Sequence, residues 1–481
     1  MTTLWLMPLL PLAVAGAAAL GVKGAWIRFA TLGGAVATLL LSFHAAAITA
    51  RTGKVELLSG WVGLNSLAAV FLLLTATLSV TAALFSLGYI RHLTKRDVAA
   101  ERRYYLNFNL FVASLVAVPL MLEVALAWVA VELTTLFSIF LVSFENTREA
   151  LEAAWKYAVL TIMGATVAAL GFFLLLWGLA QAGGGAQTFD VLVGAAPALS
   201  PALRKLAFAL ILVGFGTKIG LAPVHTWLPD AHSQAPAPVC ALLSGIEVSL
   251  ILYVVMRLLP VFMQIPGFPV ADWLIVVGLV SAGMAAFLLL QVHDFKRLFA
   301  YSTVEHMGIL VTALGLGAGA SYGTMYHVLT HALTKSLAFY AAGVVLLAAG
   351  TRDIASVRGL LRSSPVCGVA LLAAGLAIAG APPFAVFLSE LTILRAGIAE
   401  GRYWAVGLLA LFIAVAFLGV MRHVNRMVFG EPEPVMPATL PATAVATVVL
   451  ALAPVLALGL YMPGPLARLL EAAARNISGA P

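Results

Sequence analysis

The stretch LVGFGTKIGLAPVHTWLPDAH (residues 212–232) interrupts a long apolar segment with a lysine, two prolines and several polar side chains. Lys218 stands in the apolar part, where a charged side chain costs about 2.5–3.5 kcal/mol on insertion scales. Gly220 and Pro223 follow within five residues, and both residue types interrupt helices. The stretch therefore predicts a broken helix with a lysine that needs either a counterion or a function.

The composition of the chain identifies its solvent. Of 481 residues, 62% are hydrophobic and only 10% are charged, which is more apolar surface than a water-soluble protein can bury. Apolar segments of about 20 residues, enough to cross a bilayer as a helix, recur throughout. Transmembrane β-barrels are excluded, because their strands are about 10 residues long and alternate in polarity. The predicted fold class is an all-α integral membrane protein.

We predict about fourteen transmembrane spans in a single polytopic membrane domain, residues 1–481. The predicted spans lie near 3–21, 26–49, 61–89, 105–121, 122–143, 153–181, 203–224, 237–260, 270–291, 298–318, 321–349, 366–397, 403–429 and 437–462. If successive loops lie on alternate sides of the membrane, sixteen of the 27 basic residues fall on one side and nine on the other. The positive-inside rule then places both termini on the outer side. The net charge of +7 reflects this orientation, and no nucleic-acid partner is expected.

A second stretch echoes the first. GLAPVHTWLPD (220–230) and GAPPFAVFLSE (380–390) align without a gap at an offset of 160, and both interrupt apolar segments. Paired interruptions at matching positions of two halves are typical of transporter repeats with a site near the membrane midplane. Predicted spans seven and twelve run in opposite directions, so the repeats are predicted to be inverted.

Intramembrane ionisable residues mark the candidate site. Glu132 in WVAVELTTLFSIF and Lys218 lie at similar predicted depth, so each can neutralise the other; the alternative is a static structural ion pair. His327, His331 and Lys335 recur at i, i+4 and i+8, which places them on one helix face. Imidazoles exchange protons near neutral pH, so this stripe is typical of a proton relay, although a single buried histidine is as often a core residue.

Further residues extend the candidate set, and the rest of the chain carries no enzymatic motif. His306 and Glu390 complete the polar axis, and the accessory candidates are Glu247, Ser249, His225 and Asp230. No nucleophile with its base, phosphate loop or dinucleotide fingerprint is visible, so no catalytic residue is predicted. The two cysteines, Cys240 and Cys367, lack CxxC spacing, and no metal or cofactor is expected in this chain.

At these motifs the sequence resembles a known family. WVAVELTTL, GTKIGLAPVHTWLPDAHSQAPAPV, DFKRLFAYSTVEHMGI, THALTKSLAFYAAG and GAPPFAVFLSELTIL are similar to signatures of the antiporter-like membrane subunits of respiratory complex I, multisubunit cation/proton antiporters and group 4 membrane-bound hydrogenases. The stretches EALEAAWKY and RHVNRMVFGEP resemble most closely the F component of hydrogenase-4 type complexes.

The resemblance implies an architecture. It implies fourteen helices with two inverted five-helix repeats, helices four to eight and nine to thirteen, and broken helices seven and twelve. The corresponding parts of this chain are the N-terminal helices (1–104), the first repeat (105–260), the second repeat (270–429) and helix fourteen with a tail (437–481). A prokaryotic plasma membrane is the expected location.

The resemblance also implies roles for residues. Glu132 and Lys218 match the family's paired glutamate and lysine, and Glu390 matches its exit residue; His306, His331 and Lys335 match central relay positions. One position departs from the family pattern, because Ser249 stands where many relatives have a lysine. At about 100° per residue, Glu247 would lie on a nearly opposite face of that helix. Either water or Glu247 would then have to link helix seven to the central axis.

The leading functional hypothesis is a proton-translocating subunit that couples electron transfer in partner subunits to proton pumping. Its expected partners are other membrane subunits, a peripheral redox arm and lipid, in a hydrogenase-4-like or NADH:quinone oxidoreductase-like complex. The alternatives are a sodium/proton antiporter module and a proton-coupled scaffold for a soluble enzyme. The chain has few buried acids, which disfavours sodium, because that ion needs several oxygen ligands.

Overall fold

The computed structural model describes residues 3–22, 24–431 and 439–478, and almost all of this chain is helical. The helices are α1 (Thr3–Ala19), α2 (Gly24–Thr52), α3 (Ser66–Leu93), α4 (Val98–Leu120), α5 (Val124–Val142), α6 (Arg148–Gln181), α7 (Phe189–Ala195), α8 (Pro201–Ile219), α9 (Trp227–Gln234), α10 (Ala237–Leu242), α11 (Val248–Met263), α12 (Val270–Leu289), α13 (Phe295–Gly315), α14 (Ser321–Ala349), α15 (Leu360–Ser363), α16 (Pro365–Ile378), α17 (Ala385–Ala399), α18 (Tyr403–Phe429), α19 (Ala442–Leu460) and α20 (Gly464–Ser478). Strands β1 (Lys54–Leu57) and β2 (Val62–Asn65) form one antiparallel hairpin.

The predicted class, an all-α integral membrane protein, is confirmed. Within the described residues, ten helices are long and apolar enough to cross a membrane, and residues 4–19, 189–198 and 365–378 form shorter apolar helices. The predicted number of fourteen spans stays a prediction, because α1, α4 and the pieces of the broken spans seven and twelve are not among these ten helices. The predicted boundary at 437 lies outside the described residues.

The C-terminal residues form a helix where the sequence analysis assigned only a tail. In α20, Leu470, Ala473 and Ile477 recur at helical spacing and are buried. This face packs against α3 and α14. An amphipathic helix of this kind gains its stability from the burial of one apolar face, which a search for uniformly apolar spans does not detect.

Two pairs of helices approach so closely that only glycine fits at the crossing. A Cβ on Gly164 of α6 would lie 2.7 Å from the carbonyl oxygen of Gly214 on α8. A Cβ on Gly308 of α13 would lie 2.5 Å from the backbone nitrogen of Ala282 on α12. Small residues allow such backbone contact between membrane helices, where van der Waals packing drives association. The two helices that carry Lys218 and His306 are therefore each held against a neighbouring helix.

The first helix break separates α8 from α9. Gly220 has φ +83°, a left-handed conformation that ends α8, and the Leu221 amide donates to the Gly216 carbonyl at 2.8 Å. The Val224 amide then donates to the Leu221 carbonyl at 3.0 Å. The peptide bond before Pro223 is cis. The predicted break of span seven is thus present and has a defined backbone structure.

The second break, between α16 and α17, repeats the same hydrogen bonds at the offset of 160. Gly380 has φ +69°, and the Ala381 amide donates to the Leu376 carbonyl at 3.0 Å. The Phe384 amide donates to the Ala381 carbonyl at 3.0 Å, and the peptide bond before Pro383 is again cis. The sequence echo is therefore also an echo of backbone conformation. The inverted orientation of the two repeats and their boundaries stay predictions.

Candidate functional site

The ion pair between α5 and α8 is the first element of the site. The Lys218 ammonium donates to Glu132 Oε1 at 2.6 Å and to the Val131 carbonyl at 3.1 Å. The Lys218 side chain is 1% exposed and that of Glu132 is 22% exposed. A lysine in this position needs a charged partner, because an unpaired ammonium in the interior is strongly destabilising. The structure brings together the two residues that the sequence placed at similar depth.

A chain of hydroxyl groups extends from this pair to Glu247. Thr134 Oγ1 lies 2.8 Å from the Val131 carbonyl and 2.9 Å from Glu247 Oε1, so its single proton can serve either acceptor. The Tyr157 hydroxyl donates to the same carboxylate oxygen at 3.1 Å and lies 2.7 Å from Ser138 Oγ. Glu247 is buried. The Val131 carbonyl and the Thr134 hydroxyl therefore connect the Lys218–Glu132 pair to Glu247.

The helix that carries Glu247 is locally widened. Leu243–Glu247 form a π-helical turn between α10 and α11, so the angle of 100° per residue used in the sequence analysis does not hold here. Glu247 points to the Lys218 cluster through Thr134, whereas Ser249 Oγ is buried and has no hydrogen-bond partner among the described residues. Of these two accessory candidates, Glu247 joins the site and Ser249 does not.

The histidines on α13 and α14 form a second cluster. His306 Nε2 lies 3.1 Å from the Ile378 carbonyl, which can only accept, so this nitrogen carries a proton. In the neutral ring, His306 Nδ1 then accepts from His327 Nε2 at 3.0 Å. His327 Nδ1 can in turn accept from Ser389 Oγ at 2.9 Å, whose single proton can also bond to the Val386 carbonyl at 2.8 Å. The result is a directed hydrogen-bond chain from α17 through two imidazoles to the end of α16.

The predicted stripe on α14 is buried along its whole length, and its members contact different helices. His331 Nε2 lies 3.1 Å from the Ser244 carbonyl in the π-helical turn, and its ring centroid lies 5.2 Å from that of His306. The Lys335 ammonium donates to Ser302 Oγ at 2.5 Å and to the Phe299 carbonyl. His331 thus connects the histidine cluster to the turn that carries Glu247, while the hydrogen-bond partners of Lys335 among the described residues are uncharged oxygens.

Two further buried carboxylates flank the histidines. Glu390 on α17 lies against Gly380, whose added Cβ would come within 2.4 Å of Glu390 Oε2. It lines a cavity of about 420 Å³ between α17 and α18. Glu305 on α13 is 4% exposed, with Oε2 3.8 Å from His306 Nε2. Glu305 is not among the site residues predicted from the sequence, although its position beside His306 in an apolar helix was a usable signal.

The other two accessory candidates lie outside these hydrogen-bond chains. Asp230 pairs with Lys156 at 3.2 Å and with Arg297 at 2.6 Å. His225, in the first break, is buried; its Nδ1 has no hydrogen-bond partner among the described residues, and its ring centroid lies 6.1 Å from that of Tyr301. Asp230 therefore belongs to an ion-pair network that ties α6, α9 and α13 together.

The connecting groups were missed because their residue types are common in any helix. They are the hydroxyl-bearing residues Thr134, Ser138, Tyr157, Ser302 and Ser389. A hydroxyl in a membrane helix usually bonds to its own backbone, so its presence alone does not identify a relay. Among the described residues, no group of three or more His, Cys, Asp or Glu side chains is arranged to hold a metal ion.

The chain matches the family described as "NADH:quinone oxidoreductase/Mrp antiporter, TM" over residues 121–417. A hydrogenase-4 component F homolog from Methylacidiphilum infernorum (isolate V4) is 36% identical over 372 residues, 76% of this chain and 78% of that protein. NADH-quinone oxidoreductase subunit N from Desulforudis audaxviator (strain MP104C) is 29% identical over 447 residues, which are 89% of this chain and 87% of that protein. Other curated relatives are longer, and the chain spans about half of their length.

The fold agrees with that of a solved respiratory complex. A chain of the membrane-bound sulfane sulfur reductase, an archaeal respiratory membrane complex, superposes with a TM-score of 0.90 at 25% identity. The superposition covers 99% of this chain and 98% of the other. The described fold is therefore shared, over almost the whole chain, with a chain of that respiratory membrane complex.

Proposed function

The chain belongs to the NADH:quinone oxidoreductase/Mrp antiporter transmembrane family, and from this premise we propose that it is a proton-translocating membrane subunit of a multisubunit redox complex. The chemistry of electron transfer would reside in partner subunits, including a peripheral redox arm. The redox assemblies among its relatives support a hydrogenase-4-like or NADH:quinone oxidoreductase-like complex in a prokaryotic plasma membrane, with both termini on the outer side.

The observation that carries this proposal is the buried polar path formed by the two clusters. In the first, Lys218 bonds to Glu132 and to the Val131 carbonyl, and Thr134 lies between that carbonyl and Glu247. The second contains the imidazoles of His306 and His327 and ends beside Glu390. Buried ionisable groups in membrane helices are costly and mark ion pathways, and carboxylate and imidazole groups exchange protons readily.

The mechanism follows from the pairing. When electron transfer in a partner displaces Glu132 or changes its charge, Lys218 loses its counterion and releases a proton more readily. Glu247 is the carboxylate that would receive it, because Thr134 connects Glu247 to the carbonyl that Lys218 binds. The proton then passes along the histidine cluster toward Glu390 and the outer side. Moving one charge across 100 mV requires about 2.3 kcal/mol, which is comparable with the strength of one charged hydrogen bond.

Proton pumping by the intact complex in sealed vesicles tests the proposal. Proton uptake and electron flow are measured for the wild type, for Lys218→Ala and for Lys205→Ala, whose exposed side chain lies over the Phe268 ring. We expect Lys218→Ala to lose pumping and Lys205→Ala to retain it. Unchanged pumping per electron in Lys218→Ala would contradict the proposal.

A sodium/proton antiporter module is the second candidate, because the matched family includes Mrp antiporters. The two functions differ in their cation requirement. Proton movement in vesicles that depends on sodium and continues without an electron donor would favour the antiporter. Proton movement that requires the electron donor and ignores sodium would favour the redox-coupled pump.

A further inference from the structure

The first helix break is tied to another helix by one serine. The Ala222 amide donates to Ser281 Oγ on α12 at 3.2 Å, and Ser281 Oγ donates to the Val304 carbonyl on α13 at 3.3 Å. Ser281 is fully buried. Among residues 220–226, which the structure describes completely, Ala222 is the backbone amide that donates to a side chain of another helix. The serine hydroxyl therefore bridges the break and α13.

The second helix break reaches the same segment of α13. The carbonyl of Ile378, the last residue of α16, binds His306 Nε2 at 3.1 Å. His306 lies two residues after Val304, the acceptor of the serine bridge. Both interrupted helices are thus attached to residues 304–306 of α13, one through a hydroxyl bridge and the other through an imidazole.

The packing around the bridge leaves the serine little freedom. Gly278 precedes Ser281 by three residues and lies against Gly308, so that a Cβ on Gly278 would come within 2.6 Å of the Gly308 carbonyl oxygen. This contact holds α12 against α13 beside the bridge. A displacement of Ala222, four residues from Lys218, is therefore passed to α13 and not absorbed by a mobile side chain.

We propose that Ser281 is a positioning residue that couples the first helix break, next to Lys218, to the α13 segment that carries His306. This inference rests on the proposed proton-translocating function. A change in the charge of the Lys218 pair would shift the break, and Ser281 would move Val304 and with it the imidazole that binds Ile378. The equivalent of Ala222 in the second break is Pro382, which has no amide proton, so a bridge of this kind can form only at the first break.

Hydrogen exchange on the intact complex in lipid nanodiscs tests the bridge without reference to pumping. Ser281→Ala is compared with Ser79→Ala, whose fully buried hydroxyl bonds only to the Thr75 carbonyl of its own helix. We expect exchange in a peptide covering 221–226 to rise at least about tenfold in Ser281→Ala, because the Ala222 amide loses its acceptor. A peptide covering 381–386 and the Ser79→Ala variant serve as unchanged references. Unaltered exchange in 221–226 would overturn the bridge.

The ratio of protons pumped to electrons transferred tests the coupling. We expect this ratio to fall at least about twofold in Ser281→Ala and to stay at the wild-type value in Ser79→Ala. A rise in exchange with an unchanged ratio would show a purely structural serine and overturn the coupling. If Lys218→Ala itself retained pumping, the proposed function would fail, while the exchange experiment would still decide whether the bridge exists.

Discussion

The two helix breaks have the same backbone turn and opposite chemistry. Lys218 of the first break corresponds, at the offset of 160, to Ile378 of the second. The first break presents donors, the Lys218 ammonium and the Ala222 amide. The second presents an acceptor, the Ile378 carbonyl, which His306 binds, and Pro382 replaces the amide. One turn thus supports an ion pair in one half of the molecule and two hydrogen-bonded imidazoles in the other.

This difference shows how the backbone and the side chains divide their tasks. In both breaks the left-handed glycine and the hydrogen bonds of the turn interrupt the helix in the same way. The side chains then decide whether the exposed helix end faces a carboxylate or an imidazole. At the first break Lys218 is paired with Glu132, whereas its counterpart at the second break, Ile378, is apolar. Substitutions at equivalent positions can therefore separate the structure of the turn from its chemistry.

The largest effect on stability is expected for Lys218→Met. It leaves Glu132 without its partner, and loss of one member of a buried pair costs about 3–5 kcal/mol. The equivalent Ile378→Met conserves volume and should cost less than about 1.5 kcal/mol. Denaturant titration in mixed micelles measures both free energies of unfolding. The double variant Lys218→Met/Glu132→Gln should recover most of the loss; equal losses at 218 and 378 would contradict the proposed difference between the breaks.

The next effect concerns the glycines that form both turns. Alanine at Gly220 or Gly380 would have to adopt a left-handed backbone conformation, which lowers the free energy of unfolding by about 1–2 kcal/mol. Its Cβ would also crowd Leu228 at the first break or Glu390 at the second, which costs about 1–3 kcal/mol more. Gly401→Ala is the matched control, because Gly401 has φ +72° and nothing within 4 Å of its added Cβ. The same titration should give a smaller loss for the control. Equal losses at all three glycines would show that the contacts around the breaks are unimportant.

A smaller effect on stability, with a large effect on transport, is expected for His306→Gln. The glutamine amide can still donate to the Ile378 carbonyl, so the free energy of unfolding should change by about 1 kcal/mol or less. Glutamine cannot take up and release a proton as imidazole does, so proton pumping in vesicles should fall to background. Pumping at the wild-type rate would show that the imidazole chain only holds the second break in place.

The smallest effect on proton transport is expected for Thr134→Val, which removes the hydroxyl proton shared between the Val131 carbonyl and Glu247. The free energy of unfolding should fall by only about 1–2 kcal/mol, because Glu247 keeps the hydrogen bond from the Tyr157 hydroxyl. Thr334→Val is the control, since Thr334 Oγ1 is buried and has no hydrogen-bond partner among the described residues. That variant should be neutral or slightly stabilising. Pumping should slow in Thr134→Val only, and equal rates in both variants would exclude the hydroxyl from the path.

The sequence by itself determined the solvent, the fold class and most charged members of the site. Its apolar composition requires a bilayer, and a charge in an apolar helix is visible without coordinates because it is costly. The offset of 160 predicted two matching breaks, since glycine and proline act on the chain locally. The similar depth of Glu132 and Lys218 was sufficient to suggest their contact.

Only the tertiary structure decided how these groups are connected. The sequence left the link between Lys218 and the central axis open between water and Glu247, and the structure places Glu247, at the end of a π-helical turn, against Thr134. The partners of Ser281 and His306 are an amide and carbonyls of distant segments. Every residue carries a carbonyl and almost every residue an amide, so residue type cannot reveal which one packing will leave free and place within reach.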